Sequence, residues 1–151
     1  MGLVKVVCQD GYDYDINSLS KDIPIVLKHL IALAADDNSY LAVKTFQESP
    51  IIPLLKELAD DSSEYVLACE EEYTFYIMFD QYNLKRLLEF ISKDLLHEIQ
   101  HIYVLNETQT LFEWIDICSD GQADITKNVP IAKINEFCKA LNCSAKLYED
   151  V

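Results

Sequence analysis

From Ile102 to Thr126 three runs rich in Val, Ile, Tyr, Phe and Trp follow one another with only a few polar residues between them. They are Ile102 to Leu105, Thr110 to Cys118 and Ala123 to Thr126, the last two separated by the turn-forming Ser119-Asp120-Gly121. A parallel pair needs a crossover of a dozen residues or more, so connections this short dictate antiparallel hairpins. Tyr65 to Cys69 and Tyr73 to Phe79, joined through Glu70-Glu71-Glu72, read as another hairpin. Residues 3 to 8 and 12 to 16 flank Asp10-Gly11 and read as an N-terminal one. Helical periodicity fills the gaps. Ser18 or Ser20 can cap a helix through about residue 35 with Val26, Leu27, Leu30, Ile31 and Ala34 on one face. Residues 39 to 47 read as a short helix, and Ser49-Pro50 as the start of a further one. Asp80 caps a long helix with Leu84, Leu87, Leu88, Ile91, Leu95 and Ile99 at three- and four-residue spacing. Asn128, ahead of Val129-Pro130, opens a last helix to about Leu141, and Ser144 to Tyr148 reads as an edge strand. The expected fold is therefore α+β, a single domain over residues 1–151, with a mainly antiparallel sheet built from hairpins and about four helices packed on it.

Charge narrows the function classes. The 151 residues carry 26 carboxylates against 12 lysines and arginines, a net charge of −14, and the only arginine is Arg86. Affinity for nucleic acid comes largely from neutralising phosphates with Lys and Arg, so this balance points away from nucleic acid and towards a basic protein partner. Phosphate-cradling loops are also hard to build with three glycines, Gly2, Gly11 and Gly121. The five cysteines are odd in number and form no C-x-x-C pair, which suits reduced thiols in a cytoplasmic protein. The longest apolar stretch, Ile23 to Ala35, is too short to span a bilayer and contains Lys28 and His29, so no membrane association is expected.

One local pattern speaks for catalysis. His97-Glu98-Ile99-Gln100-His101 matches H-E-x-x-H and over those five residues resembles the zincin metallopeptidases. The resemblance implies zinc held by His97 and His101 with Glu98 as general base, because histidines four apart lie on one helix face. A third ligand is wanting. Where the metzincin extension places a turn-permitting glycine stands Val104, and at its third-ligand position stands Glu107. The strand-like run from Ile102 also ends the helix near Gln100. The segment therefore reads first as the end of an amphipathic helix, with no cofactor, and zinc hydrolysis is the alternative. Asp116 to Asp124 resembles half of an EF-hand loop, but Cys118 and Lys127 stand where oxygen ligands belong, and a hairpin turn explains it better.

The strongest functional signal is a charge run. From Asp94 to Thr126 there is no Lys or Arg, but there are seven carboxylates, among them Glu107, Glu113, Asp116, Asp120 and Asp124. Uncompensated like charge opposes folding, so a field of this kind suggests complementarity to a strongly basic surface. In size and charge the chain resembles the small immunity proteins that neutralise bacterial nuclease toxins. That resemblance implies a non-enzymatic inhibitor that occludes its partner, possibly a nuclease toxin. Glu107, Glu113, Asp116, Asp120 and Asp124 would supply charge, and Trp114 or tyrosines the anchor.

Overall fold

A computed structural model describes residues 14–20, 22–34, 39–46, 49–59, 66–67, 72–90, 99–106, 110–117, 121–126 and 129–147. Its strands are β1 (Tyr14–Asn17), β2 (Tyr40–Phe46), β3 (Val66–Leu67), β4 (Glu72–Met78), β5 (Ile99–Leu105), β6 (Thr110–Ile115), β7 (Gln122–Ile125) and β8 (Ser144–Leu147). They form one sheet of order β3-β4-β2-β5-β6-β7-β1-β8. Each of its pairings is antiparallel. The helices among the described residues are α1 (Ile23–Ala34), α2 (Ile52–Leu58), α3 (Gln81–Phe90) and α4 (Ile131–Leu141). The expected α+β class with an antiparallel sheet is what the chain forms.

All four helices bury residues in one core, against one face of the sheet. Ile23, Val26, Leu27, Leu30 and Leu33 of α1 recur every three or four positions and are buried, which is the stripe a helix lays on a sheet. They meet Leu41 and Val43 of β2, Ile102 and Val104 of β5, Phe112 and Trp114 of β6, and Ile125 of β7 in the same cluster. Phe137 of α4 packs edge-on against Phe112 at 6.0 Å, fixing α4 over β6. Arg86 of α3 donates from Nη2 to both carboxylate oxygens of Glu57 in α2, at 3.1 Å each. The chain's single guanidinium thus joins two helices across the outside of the fold.

Helix starts are set by short polar side chains. Asp80 Oδ1 accepts from the Asn83 N–H at 2.8 Å and begins α3, as its position implies. In α1 the cap is Asp22, whose Oδ1 accepts from the Ile25 N–H at 3.4 Å, rather than Ser18 or Ser20. Ser20 Oγ instead accepts from the Asp22 N–H at 3.1 Å, one step earlier in the chain. Ser49 Oγ accepts from the Ile51 N–H at 3.4 Å and shapes a turn before α2, so that helix starts at Ile52 rather than at Pro50.

Two segments depart from their expected type. Residues 39 to 47 read as a short helix, but Tyr40–Phe46 is β2, lying between β4 and β5 near the middle of the sheet. Two long antiparallel ladders, on both sides of a Tyr-Val-Thr-Phe-bearing segment, outweigh the weak helical preference of Leu41, Ala42 and Lys44. The other is the long helix expected to carry Ile99 on its apolar face. Ile99 instead opens β5, opposite Thr45 of β2, so the helical stripe ends before it. The expected N-terminal strand at residues 3 to 8 lies outside the described residues, and β1 is paired with β7 and β8.

Candidate functional site

Period two along each strand sends alternate side chains to the face on which the described helices do not pack. The register aligns these residues into one line across the sheet. Tyr76 of β4 stands opposite Ala42 of β2, and Ala42 opposite Tyr103 of β5. Tyr103 stands opposite Glu113 of β6, and Glu113 opposite Asp124 of β7. Asp124 stands opposite Asp15 of β1, and Asp15 opposite Lys146 of β8. The line divides into an aromatic half and an acidic half. Ala42, Tyr76, Tyr103 and Leu105 form a buried apolar cluster of their own, separate from the helix-side core, with Tyr40 and Ile115 packed against it. Lys44 Nζ lies 5.7 Å from the centre of the Tyr103 ring, a cation–π contact at the edge of that cluster.

The acidic half places Glu113, Asp124 and Asp15 on three neighbouring strands with Asp124 in the middle. Asp124 is only 6% exposed, and its Oδ1 is buried without a hydrogen-bond partner among the described residues. Glu113 and Asp15 are half-buried. Burial chiefly, then the charges of Asp15 and Glu113, push the Asp124 carboxyl up to about 6, against a smaller opposing effect from its hydrogen bond with Gln122. Like charges directly across a ladder destabilise it. Lys146 faces Asp15 from β8 and offsets part of the charge at that end. Two residues further along, Asn17 and Gln122 share the face with Asp15 and Asp124 and are exposed, giving the row a polar, accessible border.

Of the residues the sequence singled out for partner binding, Glu113 and Asp124 are brought together as cross-strand neighbours. Trp114 is a correction. It is 2% exposed within the helix-side core, because it follows Glu113 in a strand and must point the opposite way. It cannot anchor a partner. Asp116 is exposed beyond the end of β6 with φ at 51°. Its N–H donates to His101 Nδ1 at 3.0 Å and its carbonyl accepts from the Gly121 N–H at 2.9 Å, which makes it a turn residue of the β6–β7 connection. Glu107 and Asp120 lie outside the described residues. Asp15 was missed, although the alternation of Tyr14 and Asp15 already put its carboxylate on the side opposite the core.

The last three residues of the H-E-x-x-H segment take a different form from the one its spacing suggests. His97 and Glu98 lie outside the described residues, but His101 stands within β5. The same-face geometry of histidines four apart belongs to a continuous helix, and residues 99–101 are strand. His101 presents Nδ1 to the main chain of Asp116 and its ring lies 6.2 Å from that of Tyr103. Among the described residues no group of three His, Cys, Asp or Glu side chains is arranged to hold a metal ion. No helix among them is long and apolar enough to cross a membrane. Comparison of the chain with protein-family models, with curated proteins and with solved structures gave no match.

Proposed function

We propose that this chain is a non-enzymatic binding protein that occludes a basic partner protein, in the manner of the immunity proteins that neutralise nuclease toxins. The observation that carries the reading is the row Glu113–Asp124–Asp15, three carboxylates held side by side by ladder register with a buried, partly uncompensated one at the centre. Such a row stores electrostatic free energy that an incoming ammonium or guanidinium releases. A cation seated over Asp124 would donate charge-assisted hydrogen bonds to it and relieve its repulsion with both neighbours at once. The net charge of −14 over the whole chain adds long-range attraction and speeds encounter with a cationic surface. Occlusion would follow from the sheet face covering the partner's cationic cleft, with no chemistry required of this chain.

The test is retention of basic proteins from cell extract on the immobilised wild-type chain and on a triple variant carrying Asp15→Asn, Glu113→Gln and Asp124→Asn. The expected outcome is a basic protein retained by the wild type at low salt, lost steeply as salt rises, and lost by the triple variant. If the retained protein is a nuclease, adding this chain should stop its cleavage of nucleic acid. Retention equal in both proteins, or indifferent to ionic strength, would overturn the reading.

A further inference from the structure

Helix α4 ends in a Schellman motif whose two contacting positions are both cysteine. Asn142 takes the left-handed conformation at φ 55°, ψ 42°, and its N–H reaches back to the Lys139 carbonyl. The Cys143 N–H donates to the Cys138 carbonyl at 2.9 Å. These are the two main-chain bonds of the motif, and they bring together the side chains of the fourth-last residue of α4 and the residue after the left-handed one. Ordinarily that contact is apolar. Here the two groups are thiols, close enough to influence each other's ionisation. Neither is in a disulfide.

We propose that Cys138 and Cys143 are a redox modification site, closing to an intramolecular disulfide with a low-molecular-weight disulfide such as oxidised glutathione as the oxidant. Exposure sets the order of steps. Cys138 is 8% exposed and Cys143 half-buried, so the oxidant reaches Cys143 first. The Cys143 sulfur attacks the glutathione disulfide, forming a mixed disulfide and expelling one glutathione thiolate, which takes up the Cys143 proton. The Cys138 sulfur then attacks the Cys143 sulfur, the new sulfur–sulfur bond forms, and the second glutathione leaves with the Cys138 proton. Two protein thiols are oxidised and one glutathione disulfide is reduced to two thiols. The contact built by the motif makes the second step intramolecular, which favours ring closure over a lasting mixed disulfide.

Burial raises both thiols, Cys143 to about 12, so little thiolate exists near neutral pH. Closure is accordingly slow, on the order of hours. Reduction is slow too, because an external thiolate must reach the half-buried Cys143 sulfur. The pair behaves as a persistent record of oxidising conditions rather than a fast sensor. The pair lies at the end of α4, outside the carboxylate row of β6, β7 and β1, so the inference stands apart from that row.

The test uses the intact protein, incubated in glutathione buffers of graded redox ratio and then alkylated, cleaved with trypsin and weighed. Cleavage after Lys133, Lys139 and Lys146 puts Cys138 on the peptide 134–139 and Cys143 on 140–146. The disulfide therefore appears as two joined peptides, lighter by two hydrogens than their reduced sum. Expected is accumulation of this joined pair in oxidising buffer, its loss in reducing buffer, and its absence in Cys143→Ser and Cys138→Ser variants that keep the wild-type circular dichroism. A lasting glutathione adduct on Cys143, a crosslink from either residue to Cys8, Cys69 or Cys118, or both thiols alkylated at every ratio would overturn it.

Discussion

Asp124 stands directly across the ladder from Glu113, and burial with this neighbour and Asp15 holds its carboxyl near pH 6. A carboxylic acid whose folded value lies above its unfolded value of about 4 keeps its proton longer in the folded state. The folded chain therefore binds more protons than the unfolded one between about pH 4 and 6, and this group makes stability fall as pH rises through that window. Above it the charge is buried against like charges.

Replacing Asp124 with Asn should stabilise the fold at pH 7.5 by about 1–2 kcal/mol, after discounting for solvent screening. The advantage should shrink as pH falls from about 6 towards 4, where wild-type Asp124 regains its proton. Urea unfolding of both proteins at several pH values measures this. An advantage independent of pH would mean that packing, not ionisation, governs the site.

The same substitution should weaken the basic partner's binding while it strengthens the fold. Asp15→Asn and Glu113→Gln should act likewise, each by about 1–3 kcal/mol for a charge-assisted contact. Titration calorimetry at two salt concentrations would show losses that shrink as screening rises. Substitutions that leave affinity unchanged would move the interface elsewhere.

Trp114 is the only tryptophan and lies in the helix-side core. Its fluorescence should be blue-shifted, poorly quenched by acrylamide, and unchanged in wavelength when a partner binds. Trp114→Ala should cost about 3–5 kcal/mol of stability, the usual loss for a large core aromatic. A red-shifted, easily quenched emission would place the ring at the surface instead.

Chelation offers a direct comparison with the metallopeptidase reading. With His101 in a strand and its Nδ1 accepting from Asp116, treatment with EDTA should leave the melting temperature and partner binding as they were. A fall on chelation that zinc restores, and that His101→Ala abolishes, would return H-E-x-x-H to contention.

Local signals carried the hairpins β3–β4, β5–β6 and β6–β7 and most helices, because turn residues and periodicity act within a few positions. Asp80 and Leu84 are legible in this way, as is the turn through Gly121 between β6 and β7. The identity of β2 was not, since Leu41, Ala42 and Lys44 suit a helix and only pairing with β4 and β5 decides otherwise. The candidate site splits along the same line. Glu113 and Asp124 fall within one acidic stretch, whereas Asp15 joins them through a pairing between distant parts of the chain. Trp114 was a different kind of error. Its neighbour Glu113 belonged to the surface, and alternation within a strand forbids both from facing the same way.

That distant pairing also has a consequence for biosynthesis. β1 finds its partners in β7 and β8, so during translation its residues wait for those distant strands to emerge. Non-local pairings of this kind close late because loop entropy must be overcome first. The hairpin β6–β7 can form while the ribosome is still working, but it then presents two carboxylates without the third. A nascent chain therefore has no complete carboxylate row, which should assemble only after β7 has left the exit tunnel and β1 has paired with it.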